Sequence, residues 1–163
     1  MEKEFLHIIQ KNQGIIHKVC NIYCDTEDDR SDLFQEIVVQ LWKSYPNFRK
    51  ESKVSTWMYR VALNTAITNF KKSKRRPDKS SLTYENFQIE EEKYDTETEE
   101  NIKVLHKAIQ QLTGIEKSIV LLYLESKKYE EIAEITGITQ NYVRVKMNRI
   151  KKKLKKLMVT EEE

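Results

Sequence analysis

Glycine and proline are nearly missing: Gly14, Gly114, Gly137, Pro46 and Pro77 are the whole supply in 163 residues. So few turn-formers leave little room for a fold of many short strands. The abundant Glu, Lys, Leu and Ile point instead to an all-α chain. Cysteine is confined to Cys20 and Cys24, too few for a disulfide framework, and the default compartment is a reducing cytoplasm. No apolar run approaches the roughly 18 to 20 residues of a membrane span. The first residues, MEKEFLHIIQK, lack the basic start and long apolar core of a signal peptide. No nucleophile–base pair, carboxylate pair or glycine-rich phosphate loop stands at useful spacing, so neither catalysis nor a cofactor is expected.

What the chain does have is charge in blocks. The net charge is only +3, yet residues 2–36 are acidic on balance. Residues 49–79 carry ten Lys and Arg against Glu51 and Asp78. Residues 80–100 hold eight acids with Lys93, and residues 144–156 hold eight bases and no acid. Two basic blocks split by an acidic one suggest two nucleic-acid contacts on one chain, although such blocks can also be plain solvated faces.

The most informative stretch is 129–157, YEEIAEITGITQNYVRVKMNRIKKKLKKL. Ile132 and Ala133 are the inner positions of a short helix, with Ala133 small enough for a second helix to cross over it. Gly137 supplies a turn that disfavours a Cβ, and Thr139 offers a hydroxyl cap for the next helix. There Val143, Met147, Ile150, Leu154 and Leu157 step by four, three, four and three, an apolar seam at helical period. The opposite face carries Asn141, Val145, Asn148 and Lys152, flanked by Arg144 and Arg149, with Thr139 and Gln140 at its start. Asn can pair with adenine edges and Arg with guanine edges, so the pattern suits a helix-turn-helix in the DNA major groove. An αα-hairpin with a solvated basic face is the plainer alternative.

Upstream, residues 2–24 predict a first helix buried through Phe5, Ile8, Ile9, Ile16, Val19, Cys20 and Tyr23 and weakened by Gly14. His17, Cys20 and Cys24 share one face as conceivable metal ligands, but with no fourth ligand the cysteines read better as small buried hydrophobes, and no metal is assigned. After an acidic turn at 25–30, Ser31 or Asp32 can cap a helix whose inner side is Phe34, Ile37, Val38, Leu41 and Tyr45. Its outer side shows Asp32, Gln35, Glu36, Val39 and Lys43, with Trp42 at the edge. An acid-rich face with a central valine suggests a protein-docking surface. Pro46 closes this helix, and a basic loop over 47–54 contains Phe48 and Lys53. Ser55 or Thr56 then caps a long helix with Tyr59, Leu63, Ala66 and Phe70 inward. Its other face carries Trp57, Arg60, Val61, Asn64, Thr68, Lys71 and Arg75, with Lys72 alongside. Cations for phosphates, an amide for a base edge and a ring for stacking match single-stranded DNA, unless Trp57 simply belongs to the core. Residues 78–100 read as a polar, acidic linker that fixes no angle between the flanking helical units, 1–77 and 101–160.

DLFQEIVVQLW, STWMYRVALNTAITNFKKSKRR and LTGIEKSIVLLYLESKKYEEIAEITGITQNYVRVKMNRIKKKL together resemble regions two and four of the sigma-70 family, closest to its extracytoplasmic-function group. The resemblance implies a factor that binds bacterial core RNA polymerase and directs initiation at promoters, often restrained by an anti-sigma factor and not itself in membrane. It places Asp32, Leu33, Gln35 and Glu36 on the polymerase clamp helices, with Val39 at the centre of that face. It places Trp57, Arg60 and Asn64 on the minus-ten element, with the 47–54 loop holding a flipped base and Lys71, Lys72 and Arg75 on backbone phosphates. Residues 139–149 correspond to the minus-thirty-five reader. Two positions depart from the family: Leu112-Thr113 stands where Leu-Pro is usual, and Val145 where a small polar residue is common. A stand-alone DNA-binding repressor or activator, or a protein that merely titrates an anti-sigma factor, are the competing expectations.

Overall fold

A computed structural model describes residues 1–48, 50–75 and 96–162, and the described residues hold seven α-helices and no strand. The expected linker therefore lies largely outside the described residues. No described helix is long and apolar enough to cross a membrane.

Three helices form the first bundle. Helix α1 (Glu2–Tyr23) buries Phe5, Ile9, Ile16, Val19, Cys20 and Tyr23. It kinks at Asn12 (φ −118°, ψ 17°), whose side-chain amide donates to the Ile8 carbonyl at 2.9 Å. The amide thus competes with the helical ladder one turn back. Helix α2 (Glu27–Ser44) starts earlier than Ser31 or Asp32: Thr26 is the cap, its hydroxyl accepting from the Asp29 N–H at 2.9 Å. Glu27, Asp28 and Asp29 fill the first turn, where carboxylates are favoured by the helix dipole. The acidic "turn" is therefore mostly helix. A single 3-10 turn with Pro46 inside it, Tyr45–Asn47, ends α2. Helix α3 (Val54–Arg75) packs between α1 and α2, burying Trp57, Met58, Tyr59, Ala62, Leu63 and Ala66.

Four helices form the second unit: α4 (Thr96–Gln110), α5 (Gly114–Leu124), α6 (Tyr129–Thr136) and α7 (Gln140–Glu162). Helix α4 begins five residues ahead of the expected Asn101. Leu112-Thr113, where the family prefers proline, starts α5 by another route: the Thr113 hydroxyl accepts from the Glu116 N–H at 3.3 Å while the Glu116 carboxylate accepts from the Thr113 N–H at 2.8 Å. This reciprocal box satisfies two orphan donors. Burial pushes the Glu116 carboxyl up, but the Thr113 backbone bond and Lys153, 3.1 Å away, outweigh it and hold its pKa below the usual carboxylate range.

The two units share one continuous apolar core. Helices α1 and α3 lie against α5, and α3 also meets α6. The contact is close at Gly114, where an added Cβ would sit 3.3 Å from Phe70 Cδ1. It is also polar. The Tyr23 hydroxyl donates to the Gly114 carbonyl at 2.5 Å, and Lys117 donates to the Ile22 carbonyl at 3.2 Å. Lys117 is only 3% exposed, its ammonium 4.6 Å from the Phe70 ring centroid. Lys18 pairs with Glu125 at 2.7 Å, and Gln110 donates to Asp25 at 2.7 Å.

Two glycines give opposite expectations. Gly137 has φ +78° and open space around it, so Gly137→Ala should cost stability through backbone conformation alone, by about 1 kcal/mol. Gly14 is helical with nothing near a Cβ, so Gly14→Ala should add roughly 0.5–1 kcal/mol. Denaturant titration of each variant checks both signs.

Candidate nucleic-acid and docking interfaces

The turn before α7 forms as the residues require. Gly137 closes α6 in the left-handed conformation, and its N–H reaches the Ala133 carbonyl at 2.9 Å. The Thr139 hydroxyl accepts from the Tyr142 N–H at 3.1 Å and so opens α7. Val143, Met147 and Ile150 are fully or almost fully buried, with Leu154 packed against the same core. Thr139, Gln140, Asn141, Arg144, Val145, Asn148, Arg149 and Lys152 are all exposed. One helix face therefore gathers every residue assigned to upstream DNA.

Helix α3 departs from expectation at one residue. Trp57 is 7% exposed, not presented on the surface. Phe48 from the preceding loop stacks on it, with centroids 4.6 Å apart and planes 23° from parallel. Tyr45 also meets it, tilted, with centroids 6.1 Å apart, and Phe5 links Tyr45 to Trp42, so the tryptophan closes an aromatic row. Periodicity put Trp57 outward, but a ring this large at the mouth of the loop is covered by the loop's own phenylalanine. Phe48 is half-buried and forms the outer ring of the stack. Lys53, Asn64, Lys71 and Lys72 are exposed. Arg60 is exposed yet engaged: its guanidinium donates to the Glu134 carbonyl of α6 at 2.9 Å. Arg75 ends α3, and its side chain lies outside the described residues.

On α2, Asp32, Gln35 and Glu36 are exposed, as are Val39 and Trp42, each 44%. Leu33 is not part of that surface. It is 1% exposed and belongs to the core with Ile37 and Leu41, because these residues step by four along one inward stripe. Phe34 and Val38 are only half-buried beside it. Between the helices runs a groove of about 600 Å³ lined by Asp32, Glu36, Gln40, Asn64, Thr68 and Lys72, which brings the acidic face of α2 against the polar face of α3.

Cys20 and Cys24 lie inside the core; burial pushes the Cys20 thiol to about 11 and the Cys24 thiol to about 12. His17 turns instead onto the Phe34 ring, 4.8 Å away.

Residues 8–76 match sigma-70 region 2 and residues 102–154 match sigma-70 region 4. The RNA polymerase sigma factor SigV of Bacillus subtilis is 30% identical over 142 residues, spanning 86% of this chain and 82% of the relative. The chain belongs to the sigma-70 family, in its extracytoplasmic-function group. The ECF RNA polymerase sigma-E factor of Haemophilus influenzae is 28% identical, over 96% of this chain and 90% of its own. Two solved structures share the fold. CnrH, in complex with the cytosolic domain of CnrY, superposes with a TM-score of 0.69 at 14% identity, covering 98% of this chain and 90% of CnrH. RpoE, in complex with the anti-sigma factor NepR from Bartonella quintana, gives 0.67 at 18%, covering 96% and 95%. This sigma factor is thus a transcription initiation factor that works with RNA polymerase and promoter DNA, not an enzyme.

Sequence reasoning missed two features of it. Lys117 gives no signal because lysine is almost always a surface residue. The Thr113–Glu116 box does give one, the spacing T-x-x-E.

The stacked pair makes a direct expectation. In a Trp42→Phe background, Phe48→Ala should raise acrylamide quenching of Trp57 fluorescence, and it should cost about 0.5–1.5 kcal/mol of stability. Unchanged quenching would show that other residues cover the indole.

Proposed function

We propose that the exposed α2 face, Asp32, Gln35, Glu36 and Val39, docks this sigma factor on core polymerase, with Leu33 acting from the core as its support. Helix α7 then reads the minus-thirty-five element in the major groove. Phe48, Lys53, Arg60, Asn64, Lys71, Lys72 and Arg75 take the melted minus-ten strand, with Trp57 as the floor beneath Phe48. The carrying observation is that an acidic face with apolar centres and a basic reader face stand on separate helices of one chain matching both sigma-70 regions in order.

The reading requires motion between the two units, which we take to act as separate domains, 1–77 and 101–160, joined through 78–100. Elements centred about 25 base pairs apart lie roughly 85 Å apart on B-form DNA. Arg60, assigned to the minus-ten strand, spends one of its donors on the Glu134 carbonyl of α6, which ties that face to the second unit. The packed arrangement is therefore the resting form, and polymerase docking separates the units. The two solved chains named above are each held by a second protein, and we propose an anti-sigma factor that keeps this one packed in the cytoplasm.

Purified chain mixed with core RNA polymerase should form a stable complex and yield promoter-specific transcripts. Specific DNA binding without affinity for core would overturn the docking assignment. Glu36 is exposed and accepts from the Gln40 side-chain amide at 3.1 Å, so Glu36→Lys should abolish complex formation while the circular dichroism stays helical. Loss of helicity would show that this face is structural. Arg144→Ala or Arg149→Ala should weaken upstream recognition by about 1–3 kcal/mol at one base pair. A uniform loss on all sequences with a shallower salt slope would reassign that residue to phosphate.

A further inference from the structure

The reader helix carries an apolar residue where its neighbours are polar. At 3.6 residues per turn, Val145 points directly away from Val143, Met147 and Ile150, which are at most 2% exposed. Its own side chain is 38% exposed. Asn141 and Arg149 lie one turn to either side, and Asn148 and Lys152 continue the same face, all exposed. Tyr142, the other exposed apolar residue nearby, has its ring beside Lys146, 5.7 Å from the ammonium, and so leans to the flank. Val145 alone occupies the centre line.

A valine there adds little to the fold. It is a poorer helix former than alanine because its branched Cβ restricts rotation, and it is not among the residues packed on the apolar core. In the major groove, the apolar feature at a base edge is the 5-methyl group of thymine. A short, rigid isopropyl at the middle of the face can meet that methyl while the longer Asn and Arg side chains reach outward to flanking edges. We propose that Val145 is a specificity-determining residue that selects thymine at one position of the upstream element by methyl contact. The proposal rests on α7 being the minus-thirty-five reader.

The test uses the full chain assembled with core polymerase. Duplexes are selected from a random-sequence pool, and each thymine of the recovered upstream element is replaced singly by deoxyuridine, which removes only the methyl. With the native chain, one position should lose about fourfold in affinity, the worth of one buried methyl. That loss should vanish in Val145→Ala and largely persist in Val145→Thr, which keeps one γ-methyl. A deoxyuridine penalty that survives Val145→Ala, or no penalty at any thymine, overturns the assignment of Val145 while leaving α7 as reader. Recovery of duplexes with no common upstream sequence overturns both.

Discussion

A lysine ammonium withdrawn from water between two helical units sets the terms on which this chain holds together. Lys117 is buried against the Phe70 ring and the carbonyl end of α1, where the Ile22 carbonyl accepts its hydrogen bond. A helix C-terminus carries partial negative charge and so favours a cation. These partners offset the loss of hydration while α1 and α3 stay against α5, and parting the units would return the ammonium to water. Around it the seam is made of directional contacts, Tyr23 to Gly114, Gln110 to Asp25, Lys18 to Glu125 and Arg60 to Glu134. Gly114 lets the backbones close to the distance those bonds need.

The seam is apolar at its centre, and polar contacts are added to it. Each of its hydrogen bonds exchanges for water at a net cost of only about 0.5–1.5 kcal/mol, and exposed pairs such as Lys18–Glu125 contribute less still. Each unit also keeps an interior of its own: Ile37 and Leu41 in the first, Ile132, Val143 and Ile150 in the second, all fully buried. Parting at the seam divides the shared apolar core but leaves these residues packed within their own unit. On the proposed function this is what a factor needs if it is to be compact when stored and extended on a promoter.

How far the sequence could be read depended on whether one stripe or two fitted the pattern. Helix α7 was fully legible, since Val143, Met147 and Ile150 allow one inward direction and the cationic residues occupy the rest. Helix α2 was legible only in part. Leu33, Phe34, Ile37, Val38 and Leu41 make a band wide enough for two centre lines, and the choice between Leu33 and Phe34 depends on α1 and α3, which periodicity in α2 does not describe. The cap at Thr26 was obscured by Ser31 and Asp32, two equally good capping residues five positions on. Trp57 failed for a tertiary reason: Phe48, beyond the helix start, folds back over it. Lys117 escaped because its environment is supplied by other helices, with Phe70 in α3 and Ile22, 95 positions away, in α1.

The Trp57 outcome also changes what the minus-ten surface can be. A buried indole under a half-buried phenylalanine is a rigid support, and it holds the mouth of the 47–54 loop at a fixed height above α3. Lys50 within that loop takes a left-handed φ of 58° and reaches Glu4 at 3.4 Å, an exposed contact too weak to pin it. The loop is therefore fixed at its aromatic root and loosely tethered at its charged tip. A base leaving the stack would meet Phe48 first, with Asn64 and Lys72 further along the same helix. Unstacking a base costs a few kcal/mol, which one aromatic contact worth about 1–3 kcal/mol at best offsets. On the proposed function, strand capture therefore draws on α7 and the α2 face being engaged at the same time, which would couple opening of the seam to recognition of DNA.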